Sequence, residues 1–558
     1  MVPESRQSGM FGRVSKVKAK GRARIRAFVA GAVGAILAFG VAELAHGLYA
    51  GVPSIFLAIA QGVIEFTPGS FATRAIETLG QADIPILISS TVVGALAVAG
   101  LLTVLSLRSR IAALMGVVAL AAIAILAAFT EPSFAPAATI ITVLAALGLG
   151  VAAAEFLLRS SGLRPGSSPE PVEDAPPTMD VRSREAHSRG TMALGRRNFL
   201  LLSGGAAAAG LVAAGVGRTL SSGGAEQTGT RRVQVPQGSA ATNQTLPPPP
   251  ADASIDVPGM PPLITPAKDF YLIDTVLTSP RVDAATWTLT VGGAVSNPLK
   301  LSYDDLLSMS TREADVTLSC VSNEVGGSLI SNGRWTGVLL SDVLKEAGVS
   351  PGDVGRGSGA EQLVGRSVDG WTSGFKTELA LDGREALVVF GLNGNELPIE
   401  HGYPVRLVVP GIYGYVSATK WLTEIELTDW DFDAYWIQRT WSKEGPIKTQ
   451  SRIDTVKSGD ELEAGPIPIG GVAWAPHRGI GRVEVSTDGG ESWNEARLAA
   501  QLDDDTWRQY VYDWDARPGE HTLQVRATDG DGQTQTARKT SPHPNGASGY
   551  HTVNVTVA

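Results

Sequence analysis

The sequence predicts a multi-domain chain: an α-helical membrane bundle, then a mixed α/β domain, then an all-β sandwich. Three observations carry this. Residues 86–107, 111–130 and 137–154 are apolar and uncharged, each long enough to read as a membrane helix. From about Ala267 the texture becomes globular, with strand-like alternation in Trp287-Thr-Leu-Thr-Val291 before Gly292-Gly293. Over the last 110 or so residues, strand-length runs recur between Asp-Gly turns such as Asp529-Gly530-Asp531-Gly532.

The elements follow in order. Residues 1–26 form a basic tail and 27–158 a four-span membrane domain, whose first span is apolar apart from Glu43 and His46. Between Gly51 and Ala82, Pro53, Pro68 and Gly69 break the pattern, and this stretch reads as half-helices at the outer face. Residues 159–197 form a linker rich in Pro, Ser and charge, 198–217 a fifth span, and 218–261 a second linker holding the Pro247–Pro250 run. The next domain covers 262–445 and the last 446–558.

Charge sets the expected orientation, because Lys and Arg stay on the cytoplasmic side of a membrane. The tail to Arg26 holds eight of them, the 107–110 loop two, the 159–197 linker seven and the opposite connections one, Arg74. The N-terminus is therefore placed inside a cytoplasmic membrane and the large C-terminal region outside it. Arg196-Arg197-Asn198-Phe199-Leu200, before the fifth span, resembles a twin-arginine export motif, with Gly195 where Ser or Thr is usual. No clear cleavage site follows, so the span is expected to stay attached.

A net charge of −9, with the basic residues clustered near membrane segments, argues against nucleic acid as a partner. One cysteine, Cys320, excludes an intrachain disulfide and any CxxC pair, and with it thiolate zinc sites and iron–sulfur clusters. His46 is the one histidine among the spans, which excludes a bis-histidine haem inside the bundle of one chain.

Cys320 sits in Thr317-Leu318-Ser319-Cys320-Val321-Ser322-Asn323-Glu324, after a strand-like run. A free thiol outside the cytoplasm is a liability unless buried or bound, and thiolate sulfur suits a thiophilic metal. Farther on, His401-Gly402-Tyr403-Pro404-Val405-Arg406-Leu407-Val408-Val409-Pro410-Gly411 and then Lys420-Trp421 set His, Arg and Lys among Gly-rich turns, a set suited to a phosphate.

These pieces together resemble the sulfite oxidase family of molybdopterin-dependent oxidoreductases. The resemblance includes Arg334-Trp335-Thr336-Gly337-Val338 and, near the C-terminus, Val485-Ser486-Thr487-Asp488-Gly489-Gly490-Glu491-Ser492-Trp493, and it covers about residues 262–558. The membrane half, with Thr67-Pro68-Gly69, is similar to that of multi-span actinobacterial members. The resemblance implies a molybdopterin fold for the central domain and an immunoglobulin-like dimerisation module for the last, with Gly549-Tyr550-His551 opening its final strand.

The resemblance also implies roles. Cys320 would be the protein's thiolate ligand to molybdenum, with Asn323 in the same loop. His401 and Arg406 would hold the pterin phosphate and Lys420 the rest of the pterin. Phe270, Tyr271 and Thr275 would line the cofactor, and Trp335 would wall the substrate pocket. Tyr435 lies one residue out of register with the family's active-site tyrosine. The implied reaction is oxygen-atom transfer on a small molecule, coupled to two electrons that pass to or from a separate partner. The chain would carry neither haem nor iron–sulfur cluster. Sulfoxide or N-oxide reduction at the same site, or a non-catalytic membrane scaffold that kept the fold, are the rival expectations. Sulfite oxidases place one arginine in an Arg-Asn-His triplet, where this chain has Ile273-Asp274-Thr275, and another after the loop asparagine, where it has Glu324-Val325. Losing both implies a substrate other than sulfite. Arg334 and Arg439 are the cations left to compensate.

Overall fold

The computed structural model describes residues 7–49, 51–67, 82–129, 131, 134–163, 181–223 and 244–558. The chain divides into a helical unit, Met1–Gly224 with Val276–Thr278, and a sheet-rich unit, Ala225–Thr275 with Ser279–Ala558.

The helical unit contains α1 (Gln7–Leu48), α2 (Ile55–Phe66), α3 (Asp83–Ser106), α4 (Arg110–Ala128), α5 (Pro136–Ser160) and α6 (Val181–Gly223). Five stretches within these, Lys20–Leu48, Ile84–Ser106, Arg110–Ala128, Pro136–Ser160 and Arg197–Ser221, are long and apolar enough to cross a membrane. Their outward faces carry large apolar side chains such as Leu101, Leu114, Ile141 and Leu211. Glycines let the helix backbones approach closely. A Cβ on Gly40 would collide with Gly210, one on Gly47 with Gly217, and one on Gly34 with Gly150. Small residues at a crossing are what let two helix backbones come this close. Glu43, buried in α1, accepts the Ser54 hydroxyl at 2.5 Å.

Two sequence expectations change here. α1 starts at Gln7 and α6 at Val181, so much of the 1–26 tail and residues 181–197 of the expected linker are helical. Neither stretch contains proline, and Ala, Met, Arg and Glu favour helix, so each continues into the apolar span that follows it. Among the described residues of the 51–82 segment, Ile55–Phe66 form α2, capped by the Ser54 hydroxyl on the Leu57 N–H, with Ile55, Phe56, Ala58 and Ala60 buried. Pro68, Gly69 and linker residues 164–180 and 224–243 lie outside the described residues. Arg197 lies within α6, while the side chain of Arg196 falls outside the description.

The sheet-rich unit opens with the expected mixed module. Its strands are β1 (Thr288–Gly293), β2 (Leu299–Ser302), β3 (Thr311–Ser319), β4 (Ile330–Leu339), β5 (Gln362–Ser367), β6 (Thr372–Lys376), β7 (Leu387–Leu392), β8 (Asn395–Glu396), β9 (Arg406–Val408) and β10 (Leu422–Thr428). One sheet runs β2-β1-β10-β5-β6; the other runs β3-β4-β7-β8, with β9 on β7. Short helices Tyr303–Ser308 and Leu340–Glu346 complete the layers, the first closed by a capping box between Ser302 and Asp305. Leu289, Leu340, Leu363, Phe390 and Leu407 are fully buried in its core. β3 and β4 are the longest pair, in register from Thr311 opposite Val338 to Ser319 opposite Ile330, and Cys320 begins the loop that joins them.

The last module is built from β11 (Gln450–Ile453), β12 (Glu461–Leu462), β13 (Gly465–Trp474), β14 (Ile480–Ser486), β15 (Asn494–Glu495), β16 (Arg497–Leu498), β17 (Arg508–Ala516), β18 (Gly519–Asp529) and β19 (His551–Val557). They form sheets β11-β13-β17-β16 and β12-β19-β18-β14-β15. Ile469 and Tyr510 from the first and Val483, Val525 and Val553 from the second share one apolar core.

A cysteine loop and a buried basic cradle

The Cys320 loop is closed by its own polar groups. The Cys320 N–H donates to Leu329 O at 3.0 Å, and the Asn323 N–H to Cys320 O at 3.1 Å. Asn323 is buried and its Oδ1 accepts the Leu329 N–H at 2.9 Å, yet its Nδ2 has no partner. An unmet buried donor is costly and marks a place where something else accepts. The Cys320 thiol is half-buried and accepts the Ser322 N–H at 3.4 Å. Burial pushes its pKa up, opposed by the hydrogen bonds from Ser322. Among the described residues no three His, Cys, Asp or Glu side chains converge as a metal cage.

Beside the loop lies a buried basic cradle. Arg406, on β9, is 3% exposed and has no carboxylate partner among the described residues. Its Nη1 donates to His401 O at 3.0 Å, and its guanidinium sits 5.1 Å from the Trp335 ring centre. Burial lowers its pKa to about 10, opposed by Tyr271 and Asp274. A desolvated guanidinium with donors to spare suits an anionic phosphate. Tyr271 lies within electrostatic reach of both Cys320 and Arg406, and burial raises its phenol. Phe270 packs against Tyr271, Trp335 and His401 with ring centres 5.7, 5.3 and 5.6 Å apart.

Several expected residues meet here. His401 Nε2 lies 3.1 Å from Ala267 O, so that nitrogen donates and the ring holds the 267–270 segment. Burial first, then Lys420 and Arg406, depress its pKa to about 3. It is therefore neutral, and Arg406 supplies the charge. Lys420 directs its ammonium to Asp274 at 2.7 Å, Glu400 O at 2.8 Å and Ile273 O at 3.3 Å. Burial pushes Asp274 up and Lys420 down, while their contact opposes both shifts. With these three contacts Lys420 ties the 273–274 segment to the turn at Glu400. Trp335 is fully buried and its Nε1 donates to Val316 O at 3.2 Å. Its ring backs the Arg406 guanidinium. Thr275 is half-buried at the end of the cradle segment. Tyr435 sits beside β6, its N–H 3.0 Å from Thr372 Oγ1, with Arg439 stacked 3.6 Å over its ring. The tyrosine within reach of the thiol, besides Tyr271, is Tyr413, which is 3% exposed and raised to about 12 mainly by burial. It stands in Gly411-Ile412-Tyr413-Gly414, contiguous with the His401–Gly411 stretch, a signal that sequence reading passed over.

Arg334 faces away. Its Nε and Nη2 grip Asp315 at 2.8 Å each, and Nη1 donates to Pro247 O at 2.9 Å.

A thiol loop with an unmet donor beside a buried guanidinium defines a cofactor-binding oxidoreductase site. Residues 276–436 match the oxidoreductase molybdopterin binding domain, and residues 443–542 the Mo-co oxidoreductase dimerisation domain. The chain is 30% identical over 285 residues to mitochondrial sulfite oxidase of Rattus norvegicus, covering 43% of this chain and 50% of that one. It is 28% identical over 271 residues to the NADH nitrate reductase of Spinacia oleracea, covering 40% and 29%. The sulfane dehydrogenase SoxCD from Paracoccus pantotrophus aligns with 58% of this chain and 87% of its own, at 24% identity and TM-score 0.45. The chain spans about half the length of the rat enzyme. The two domain matches and these relatives support a molybdopterin oxidoreductase of the sulfite-oxidase type over residues 276–542.

Proposed function

We propose that this chain is a membrane-anchored, extracytoplasmic enzyme that transfers an oxygen atom to or from a small neutral or cationic substrate rather than sulfite. The cofactor it is built to hold is molybdenum on the dithiolene of a pterin, which supplies two-electron oxygen-atom transfer when bound. The residues present fit that group. Cys320 offers the thiolate, Asn323 Nδ2 an unmet donor in the same loop, and Arg406 a buried cation for the phosphate. His401 and Lys420 fix the 267–274 segment, and Phe270 and Tyr271 close the cradle. The intact cradle supports an enzyme over a scaffold. The 17-to-1 distribution of Lys and Arg supports an internal N-terminus and an external catalytic unit. The last module reads as an immunoglobulin-like sandwich for homodimerisation, and electrons pass to or from a separate partner.

The substrate reading rests on one observation: Arg334, a cation that could replace the missing arginines, is held bidentately by Asp315. Arg439 is stacked on Tyr435, and the loop position after Asn323 is the exposed acid Glu324. Each charge-assisted hydrogen bond lost to an anion is worth roughly 1.5–3 kcal/mol. Two losses weaken sulfite binding by about two to four orders of magnitude. Steady-state oxidation of sulfite with ferricyanide tests this. The expected result is slow turnover and a KM far above the micromolar range; fast turnover at micromolar KM would overturn it. A reporter fused after Ala558 should read as external and one at Pro171 as internal, and the reverse result would remove the topology.

A further inference from the structure

The Cys320 loop is not self-sufficient. Its ends are tied by Cys320, Asn323 and Leu329, but its middle is Gly326-Gly327, with Gly326 at φ +79°. Paired glycines give a loop no side chain to anchor and the widest backbone freedom. What holds this middle comes from the last module. Arg452, on β11, donates through Nη1 to Gly327 O at 2.7 Å, and its Nε is aimed by Asp454 Oδ1 at 2.7 Å. His551, at the start of β19, accepts the Ile453 N–H on Nδ1 at 3.0 Å. The proton is therefore on Nε2, and that edge of the ring presses on Gly326 so closely that a Cβ there would collide with it. Burial first, then Arg452, lowers the His551 pKa to about 4, so the ring is neutral and acts by shape. The last module also grips the strand that leads to the cysteine. The Thr317 N–H donates to Asp505 O at 2.9 Å, and the Trp507 N–H to Thr317 Oγ1 at 2.7 Å. A cavity of about 340 Å³ opens beside the loop, walled by Gly326 and Ser328 on one side and Arg452, Lys457 and His551 on the other.

We propose that Arg452 and His551 are positioning residues that set the Cys320–Asn323 loop. This rests on the reading of Cys320 as the molybdenum ligand. A charge-assisted bond to a single carbonyl fixes the loop's outer turn, and through it the direction of the thiol and of Asn323 Nδ2. The two contacts act in series on adjacent residues, so loss of either loosens the same turn.

The test uses the full-length, metal-loaded protein. Molybdenum content and the half-reduced molybdenum EPR spectrum of the unaltered protein are recorded first; absence of molybdenum there would sink the cofactor reading itself. Arg452→Leu is then expected to keep bound molybdenum but to broaden or shift the EPR signal, and to lower kcat at least tenfold with KM changed less than threefold. Arg452→Lys, which retains a donor, should recover part of both. His551→Gln, tested independently in case Arg452→Leu fails to fold, should give the same spectral change to a smaller degree. Lys457→Ala, in the same cavity but without a contact to the loop, should change neither. An unaltered spectrum and kcat in folded Arg452→Leu, or in His551→Gln if the first does not fold, would overturn the proposal.

Discussion

Where chain segments meet in the helical unit, they meet through glycine: Gly40 against Gly210, Gly47 against Gly217, Gly34 against Gly150. In the sheet-rich unit the decisive meetings are between charged and aromatic side chains, such as Arg406 over Trp335 and Lys420 on Asp274. The first kind of contact tolerates almost any apolar residue on the outer face and almost none at the crossing point. The second kind places a few polar groups in a dry interior, where their worth depends on what they bind. The two units should therefore fail in different ways when altered.

The largest expected effect is at the thiol. Cys320 Sγ accepts hydrogen bonds from Ser322, through its backbone N–H at 3.4 Å and its side chain, so Cys320→Ser removes little from the fold. A hydroxyl is a poor replacement for thiolate at molybdenum. Turnover should drop at least a thousandfold while thermal melting stays within a few degrees. Near-wild-type turnover would show that the ligand lies elsewhere.

Next comes the guanidinium. Arg406 is buried without a carboxylate, and replacing a buried charge by an apolar residue of similar volume is often neutral or stabilising. Arg406→Met should leave the cofactor-free protein as stable as before, or more so, while its molybdenum content falls several-fold. Metal analysis and melting of the same preparation check this. Joint loss of stability and metal would make Arg406 a structural residue and blur the contrast between the units.

The converse change belongs to the helices. Gly210→Leu must push α6 from α1 at their closest point, and it should lower the amount of intact protein in membranes. Turnover per bound molybdenum should stay constant. Leu211→Ala, on the outward face, should change neither. A fall in turnover per metal would mean that the bundle contributes to the chemistry.

How much of this was legible follows the same division. The apolar helices were readable because length and apolarity decide them, and helix-favouring residues carry α1 and α6 back into the basic stretches. Cys320, Asn323 and Arg406 were readable as types in a pattern. The contact of Lys420 with Asp274 was not, because its partner lies 146 residues away. The burial of Trp335 against Arg406 was not, because it depends on which strands flank β4. Arg452 and His551 were invisible because their partner, Gly327 or Gly326, is backbone from another module.

The smallest effect at neutral pH concerns His401. Its pKa falls from 6.5 to about 3 in the fold because burial, Lys420 and Arg406 all oppose its charge. Below pH 6.5 the unfolded chain therefore binds a proton that the folded chain refuses, and stability falls with pH until about 3. The full contribution is on the order of 3–5 kcal/mol across that window, and none of it is felt at pH 7. His401→Gln keeps a donor for Ala267 O without a titrating ring, so its cofactor-free form should lose stability less steeply between pH 6.5 and 4. A phosphate held by Arg406 brings negative charge toward the imidazole and raises its pKa again. The metal-loaded wild-type protein should thus show a shallower acid slope than its cofactor-free form, and the two slopes should converge in the Gln variant. Denaturant melts at half-unit pH steps measure all four slopes. Equal slopes for loaded and cofactor-free wild type would place the phosphate away from His401 and leave Arg406 to hold it without that neighbour.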